Sequence, residues 1–296
     1  MSSSDSLIWQ AKEQSTSMSS NQIKEISIEW TYAPADYFEA PLSIDGKGYS
    51  LIIDEGVVTA KVDPELYPDL DHLTNDIQAE LRNMLLGIQV ITHKTHSISS
   101  PKANISRIDG SKIINLSASI DAIVVTSDQV DIIIKDSNGN ILTDSRQERI
   151  EKKREWARLA AKYIPTDPTV KFLFESYQAA VQDLDNELIH LYEIRDAIKK
   201  SLGNEKTVRR QLQLTNAQWE KTWKRLGDLA NHEPLSQGRH RGENPGQLRD
   251  ATLEELQEAR AIAGELVYRY LITLERDSAD KNSTKDAEEG KEQPTQ

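Results

Sequence analysis

The sequence contains no cysteine among its 296 residues. Structural disulfides, thiolate zinc sites, iron–sulfur clusters and a cysteine nucleophile are therefore excluded. No segment approaches the roughly 18 consecutive apolar residues of a membrane span, and the first residues lack the basic and apolar regions of a signal peptide. We therefore expect a cytoplasmic protein without a membrane partner.

Familiar catalytic and nucleotide-binding motifs are also absent. The chain has no Gly-rich Walker loop, no strand-linked Gly-x-Gly-x-x-Gly and no Gly-x-Ser-x-Gly elbow. These absences argue against a Walker ATPase, a Rossmann dinucleotide enzyme and a serine hydrolase, and we predict no cofactor.

Negative charge is abundant, but it is unevenly distributed. The formal net charge is −12, to which residues 21–145 contribute 9 basic and 19 acidic residues, or −10. Residues 146–276 contain 23 basic and 21 acidic residues, or +2. Binding to nucleic acid requires Lys and Arg to neutralise phosphates, so the second half is the region compatible with an RNA or nucleotide-phosphate partner. The acidic first half is the candidate surface for a protein partner.

Alternating apolar residues dominate the first half. "KEISIEWTY" has the period of two that is typical of a strand with one buried face. "GYSLIID" and "GVVTAKV" predict a hairpin around Glu55 and Gly56, and further strands are predicted at "DAIVVTS", "VDIIIKD" and "NILTD", with a turn at residues 137–140. Residues 69–94 have helical spacing between the strand groups. We therefore predict an α+β domain over residues 21–145, an antiparallel sheet carrying one long helix.

Helical patterns replace the strands after Arg146. One helix is predicted up to Pro165, a long helical segment from Pro168 to Leu202 with Gly203 as its C-cap, and further helices after capping boxes at Thr215/Gln218 and Thr252/Glu255. We predict an all-α bundle over residues 146–277. Residues 1–20 and 278–296 are Ser-rich or acidic and have little to bury, so disorder is expected there.

The first candidate site lies in "LDNELIHLYEIRDAI". Asn186, His190 and Glu193 fall on one helical line beside the apolar stripe, and Glu187 with His190 has the Glu-x-x-His spacing of di-iron bundles. That motif occurs only once here, so no metal site is predicted. The alternatives are a functional polar face or residues that are solvated or bonded to a neighbouring helix.

Two further candidates contain arginine and histidine. Arg225 and His232 in "RLGDLANH" combine a permanent cation with a group that titrates near neutrality, which suits RNA cleavage by the 2′-hydroxyl. The long loop "LANHEPLSQGRHRGENPGQLRDAT" places a phosphate-binding group between flexible glycines and ahead of a helix start, namely Arg239, His240, Arg241 and Arg249. The alternative is that the arginines pair with the bundle's own acids, such as Asp228, Glu233 and Glu243.

The second half, with "ELIHLYEIRDAI" on an early helix and "RLGDLANH" ending a later one, resembles the HEPN superfamily over about 130 residues. In that family an Arg and a His a short distance apart form a ribonuclease centre across a dimer of bundles. The resemblance implies that Arg225, Asn231 and His232 form this centre, with Glu187 or Glu193 as the acidic residue, and that the bundle forms a homodimer.

The sequence departs from the HEPN pattern at the end of the later helix. His232 precedes Glu233 and Pro234, where the helix ends, so either the centre has moved to Arg239 and His240 or the protein binds without cutting.

The first half loosely resembles sensor-like domains of bacterial antiphage and toxin proteins. The leading hypothesis is a metal-independent endoribonuclease in defence or toxin systems. The alternatives are a noncatalytic interaction protein and a nucleotide or anion binder.

Overall fold

The computed structural model describes residues 23–115, 131–138, 140–242 and 246–289. The chain divides into two compact units, unit 1 from residues 1–82 and 96–154, and unit 2 from residues 83–95 and 155–296. An antiparallel sheet comes first and a helical bundle follows, as predicted. The sequence predicts a single boundary after residue 145, whereas the units alternate along the chain because residues 83–95 belong to the helical unit.

The sheet of unit 1 is antiparallel throughout. Its strands are β1 (Ile23–Ala33), β2 (Leu42–Gly46), β3 (Tyr49–Asp54), β4 (Val57–Val62), β5 (Ser97–Ile98), β6 (Lys102–Arg107) and β7 (Lys112–Asn115). The strand order is β2-β3-β4-β1-β6-β7, and β5 pairs with the end of β1.

The alternation predicted for β1 is confirmed. Ile26, Ile28 and Trp30 are completely buried, and Trp30 lies opposite Val58 of β4. The β3–β4 hairpin is also confirmed. Gly56 in its turn has a φ of +83°, a conformation that glycine adopts without steric cost.

A separate two-stranded sheet follows in unit 1. It consists of β8 (Ile133–Lys135) and β9 (Ile141–Asp144), which confirms two of the later strands. The carboxylate of Asp136 accepts hydrogen bonds from the backbone N–H groups of Asn138 and Asn140 and so organises the connection. Gly139 of the predicted turn and the strand predicted at "DAIVVTS" lie outside the described residues.

The helices are α1 (Leu70–Thr92), α2 (Ser145–Tyr163), α3 (Pro168–Gln182), α4 (Glu187–Leu202), α5 (Glu205–Gln211), α6 (216–232) and α7 (Leu253–Glu289). Helix α6 alternates α-helical turns with two π-helical segments, Glu220–Lys224 and Asp228–His232. Within the described residues, no helix combines the length and apolar character needed to cross a membrane.

The segment from Pro168 to Leu202 is not one helix, which corrects the prediction. Helix α3 ends at Gln182, a single 3-10 turn spans Leu184–Asn186, and α4 begins at Glu187. The apolar spacing continues across this turn because both helices bury a face in the same core of unit 2. Asn186 is therefore the N-cap residue of α4 rather than a position inside a helix.

The predicted caps are confirmed. Thr215 and Gln218 exchange side chain–backbone hydrogen bonds, as do Thr252 and Glu255, and Gly203 ends α4 with a φ of +99°. Helix α7 continues to Glu289, which differs from the disorder expected from residue 278 onward. Residues 1–22 and 290–296 lie outside the described residues, so the disorder expected for 1–20 and for the last residues stays a prediction.

Two helical glycines in unit 2 mark close approaches of neighbouring elements. A Cβ atom on Gly87 of α1 would lie 2.5 Å from the backbone oxygen of Trp156 in α2. A Cβ atom on Gly264 of α7 would lie 3.3 Å from a side-chain methyl of Val90 and 4.0 Å from the Val90 backbone oxygen. The first contact is with backbone that cannot rotate away, so glycine is required at position 87.

Candidate functional site

Five polar residues of unit 2 form one connected chain of contacts, which we call the α4 network. The Arg241 guanidinium donates to the side-chain oxygen of Asn186, and Asn186 Nδ2 donates to Asp183 Oδ2 at 2.8 Å. His190 Nε2 lies 3.3 Å from the same Asp183 oxygen, and His190 Nδ1 lies 3.4 Å from Glu193 Oε2. The structure thus joins two candidates that the sequence presents separately, the polar face of α4 and the loop after α6.

The local fold explains how these side chains meet. Asp183 ends α3, the 3-10 turn brings Asn186 to the start of α4, and His190 and Glu193 follow on one face of the helix. Hydrogen bonds from Asn186 and His190 lower the pKa of Asp183. An imidazolium at His190 would donate to both carboxylates, whereas a neutral ring donates to one and keeps the other nitrogen as an acceptor.

Arg239 packs against the protein itself. Its backbone N–H donates to Ala230 O at 2.7 Å, and its guanidinium lies 4.6 Å from the Tyr192 ring centre and 3.3 Å from Asp196 Oδ2. A Cβ atom on the preceding Gly238 would lie 3.1 Å from Ala230 O. Gly238 therefore allows the loop to approach α6.

A stack of aromatic rings and a guanidinium continues from Tyr192. The Arg195 guanidinium lies 5.1 Å from the Tyr192 ring centre and 4.9 Å from that of Trp223, which stacks on Trp219 at 5.0 Å. Arg195 is the single charged member of the apolar stripe on α4, which is the signal that could have identified it. Contacts of this kind stabilise the packing of α4 against α6.

Arg225 and Arg249 are both held by carboxylates. Arg225 donates to Glu258 at 2.9 and 3.0 Å, and Arg249 makes two 2.7 Å hydrogen bonds to Glu255, whose pKa falls to about 2 mainly for that reason. Glu233 lies 3.5 Å from Arg225 and 4.0 Å from Arg249. These contacts, and that of Arg239 with Asp196, support the alternative in which the arginines pair with the bundle's own acids.

Of the three acids named for that alternative, only Glu233 pairs with any of these arginines within the described residues, and it contacts both Arg225 and Arg249. Asp228 accepts from His232 Nδ1 at 3.0 Å, and Glu243 lies outside the described residues. The His232 side chain is 76% exposed at the end of the second π-helical segment. Asn231 has a buried side-chain oxygen without a hydrogen-bond partner in the described structure, and His240 is exposed in the loop.

Glu187 lies in the interior rather than beside a candidate histidine. Its side chain is completely buried and accepts from Arg260 Nε at 2.5 Å and Arg260 Nη2 at 2.8 Å. The Glu-x-x-His spacing places Glu187 and His190 on one helix, yet they have different partners. Among the residues that the structure describes, no group of three or more His, Asp or Glu side chains is positioned to hold a metal ion.

His93 completes this buried group. It follows the end of α1 with a φ of +49°, and its Nε2 atom lies 3.5 Å from Glu187 Oε1. Its ring meets Tyr177 edge-on at 5.7 Å. Burial, reinforced by the Arg260 charge, lowers the pKa of His93 to about 4, so the ring is neutral at pH 7. No sequence spacing links His93 and Arg260 to Glu187, so these two partners could not be identified from the sequence.

A comparison of the chain with family models, curated proteins and solved structures found no match. The chemistry of the described residues is therefore the basis for assigning a function.

Proposed function

We propose that the protein acts on RNA at the α4 network, as a metal-independent endoribonuclease of a HEPN-like effector in bacterial defence or toxin systems. The supporting observation is the network itself, in which His190 lies between two carboxylates and is connected to the guanidinium of Arg241. RNA as the substrate class comes from the HEPN resemblance. A positioned base and a cation are the groups that cleavage by the 2′-hydroxyl requires.

The proposed reaction needs no reagent other than the RNA. The 2′-oxygen attacks the adjacent phosphorus, the P–O5′ bond breaks, and a 2′,3′-cyclic phosphate and a 5′-hydroxyl result. His190 Nδ1–H donates to Glu193, and the 2′-hydroxyl takes the place of Asp183 at Nε2, so that Nε2 accepts the hydroxyl proton and returns it to the departing 5′-oxygen. Arg241 stabilises the added negative charge on the phosphate oxygens. A base of this kind contributes about 10²–10⁴-fold to the rate.

This assignment shifts the centre away from Arg225 and His232. The Arg225 guanidinium is engaged by Glu258 and Glu233, and His232 bonds to Asp228. His190 has two carboxylate partners, whereas His232 has one and is more exposed. Orientation of a histidine by a carboxylate is the arrangement that catalytic histidines share, so His190 is the better candidate.

The test is cleavage of a single-stranded RNA in EDTA by the full chain. His190→Ala should lower the rate by at least about 100-fold, because general-base catalysis is lost. His232→Ala and His240→Ala should stay within a few-fold of wild type, and His72→Ala, a change at an exposed histidine of unit 1, is the matched control. Wild-type protein that leaves RNA intact, or a His190→Ala variant that cleaves at the normal rate, would overturn the proposal.

The second candidate is a noncatalytic interaction protein. The observation that favours it is that Arg225, Arg239 and Arg249 are each bonded to a carboxylate of the same unit. This function predicts a stable homodimer through the bundle, or a protein partner of the acidic first half, that survives His190→Ala. Light scattering and pull-down with the full chain test it, and a monomer without any partner would contradict it.

A further inference from the structure

The end of α4 and the short helix α5 carry a cluster of cationic side chains that have no role in the proposed ribonuclease reaction. Residues 199–210 contain a single acid, Glu205, and five basic residues, namely Lys199, Lys200, Lys206, Arg209 and Arg210. We call this group the α4–α5 basic surface. Lys206 and Arg210 are four residues apart and both exposed, so they lie on one face of α5.

The one acid of this surface is already engaged. Glu205 Oε1 lies 3.4 Å from Arg195 Nη2 and 3.9 Å from Lys199 Nζ, and it accepts from Trp223 Nε1 at 3.3 Å. Within the described residues, no carboxylate lies at ion-pair distance from Lys200, Lys206 or Arg210. These three cations therefore keep their charge available for a ligand, unlike the arginines at 225, 239 and 249.

We infer that the α4–α5 basic surface binds the phosphate backbone of RNA and holds the strand for the α4 network. The choice of RNA rests on the proposed function, whereas the affinity for a polyanion rests on the unpaired cations. Each protein cation that neutralises a phosphate releases condensed counterions and so contributes to binding, and only a cation without a carboxylate partner can supply this contribution fully.

The apolar residues of the surface favour a soluble polyanion over a membrane. Ile198, Val208 and Leu212 are buried in the core of unit 2, and Leu202 is partly buried against the same core. A helix that lies on a bilayer inserts an exposed apolar face, and a protein interface has an apolar or aromatic centre. Residues 198–212, all of which the structure describes, have no exposed apolar side chain, whereas phosphate contacts require only charge.

The location suits a role in positioning substrate. Lys200 follows His190 by ten residues on the same helix, which places it about 15 Å further along the helix axis and about 80° around it, at 1.5 Å and about 100° per residue. A strand bound at the basic surface can therefore reach the α4 network by passing along α4 and about a quarter of the way around it. The exposed carboxylates around His190 repel phosphate, so affinity must come from cations elsewhere, and the basic surface supplies them.

The test is fluorescence anisotropy of the full chain with a single-stranded 2′-O-methyl RNA, which lacks the attacking hydroxyl and cannot be cleaved. The variant carries Lys200→Ala, Lys206→Ala and Arg210→Ala. Its affinity should fall by about tenfold or more at low salt. The slope of log K against log salt should become shallower by about 2, since each single-strand phosphate contact contributes about 0.7.

The matched control removes three ion-paired lysines with the same change in net charge, namely Lys162, Lys171 and Lys224, each replaced by Ala. It should bind like wild type. An equal loss in the control, or stronger binding of wild type to phosphatidylserine vesicles than to the RNA, would overturn the inference. Binding that persists in a His190→Ala variant without cleavage supports the surface. Binding of the RNA without any cleavage by wild type would reject only the proposed function.

Discussion

The buried pair of Glu187 and Arg260 gives a prediction whose magnitude follows from the structure. The Glu187 side chain is 0% exposed and that of Arg260 is 20% exposed. Arg260→Met keeps most of the side-chain volume but leaves the carboxylate without its cation. Removing one partner of a buried pair costs about 3–5 kcal/mol. The surface pair of Arg249 and Glu255 has similar two-bond geometry, so Arg249→Met is the matched control, with an expected cost of at most about 1 kcal/mol.

The loss in Arg260→Met should depend on pH with a definite sign. An unpaired buried carboxylate favours its protonated form, so the folded variant takes up a proton more readily than the unfolded chain. The loss of the Arg260 charge also removes one cause of the lowered His93 pKa. Relative to wild type, both effects favour the folded variant as the pH falls. The difference in free energy of unfolding between wild type and variant should therefore shrink from pH 8 to pH 5.

The assay is urea unfolding followed by tryptophan fluorescence, for which Trp156, Trp219 and Trp223 report on unit 2. A double variant with Glu187→Leu and Arg260→Met removes both charges and should recover to within about 1–2 kcal/mol of wild type. If Arg260→Met costs no more than Arg249→Met, or if the double variant is no more stable than the single, the pair does not behave as a buried ion pair.

Two other predictions concern backbone contact and protonation. Gly87→Ala should lower the free energy of unfolding by about 1–3 kcal/mol, despite the better helix propensity of alanine. Gly264→Ala should be close to neutral. Equal melting temperatures for the two variants would contradict this prediction. Burial lowers the pKa of His93 and of His96 to about 4, below the unfolded value of about 6.5. Stability that is fully present above pH 6.5 should therefore be lost as the pH falls toward 4, on the order of 2 kcal/mol per histidine. His93→Gln in unit 2 and His96→Gln in unit 1 should each flatten this loss in urea titrations, and a wild-type midpoint independent of pH would refute it.

Those parts of the fold that depend on neighbouring residues could be predicted from the sequence. The alternation of β1 and the capping boxes at Thr215 and Thr252 involve residues two or three positions apart, and the structure has them as expected. The break between α3 and α4 was missed for a physical reason. Both helices pack on one core, so the apolar spacing continues through the turn at Leu184–Asn186 and hides it.

The residues of the candidate site could be predicted from the sequence better than the contacts between them. His190, Glu193 and Arg241 were each identified from residue type and position. The hydrogen bond that joins Arg241 to Asn186 spans 55 positions, and the pair of Arg260 and Glu187 spans 73. Side chains this far apart meet only through tertiary packing, which no spacing rule describes. The residue type of a histidine thus indicates which chemical role is open to it, whereas its tertiary contacts determine whether it is positioned for that role.

The same distinction applies to the cations. The "GRHRG" loop is the more conspicuous basic group in the sequence, yet Arg239 is paired with Asp196 and packed on Tyr192. The segment at 199–210 attracts less notice because an acid interrupts it, but that acid is engaged by Arg195 and Lys199. Since electrostatic affinity depends on the charge that remains unpaired after folding, the less conspicuous segment is the stronger candidate for binding a polyanion.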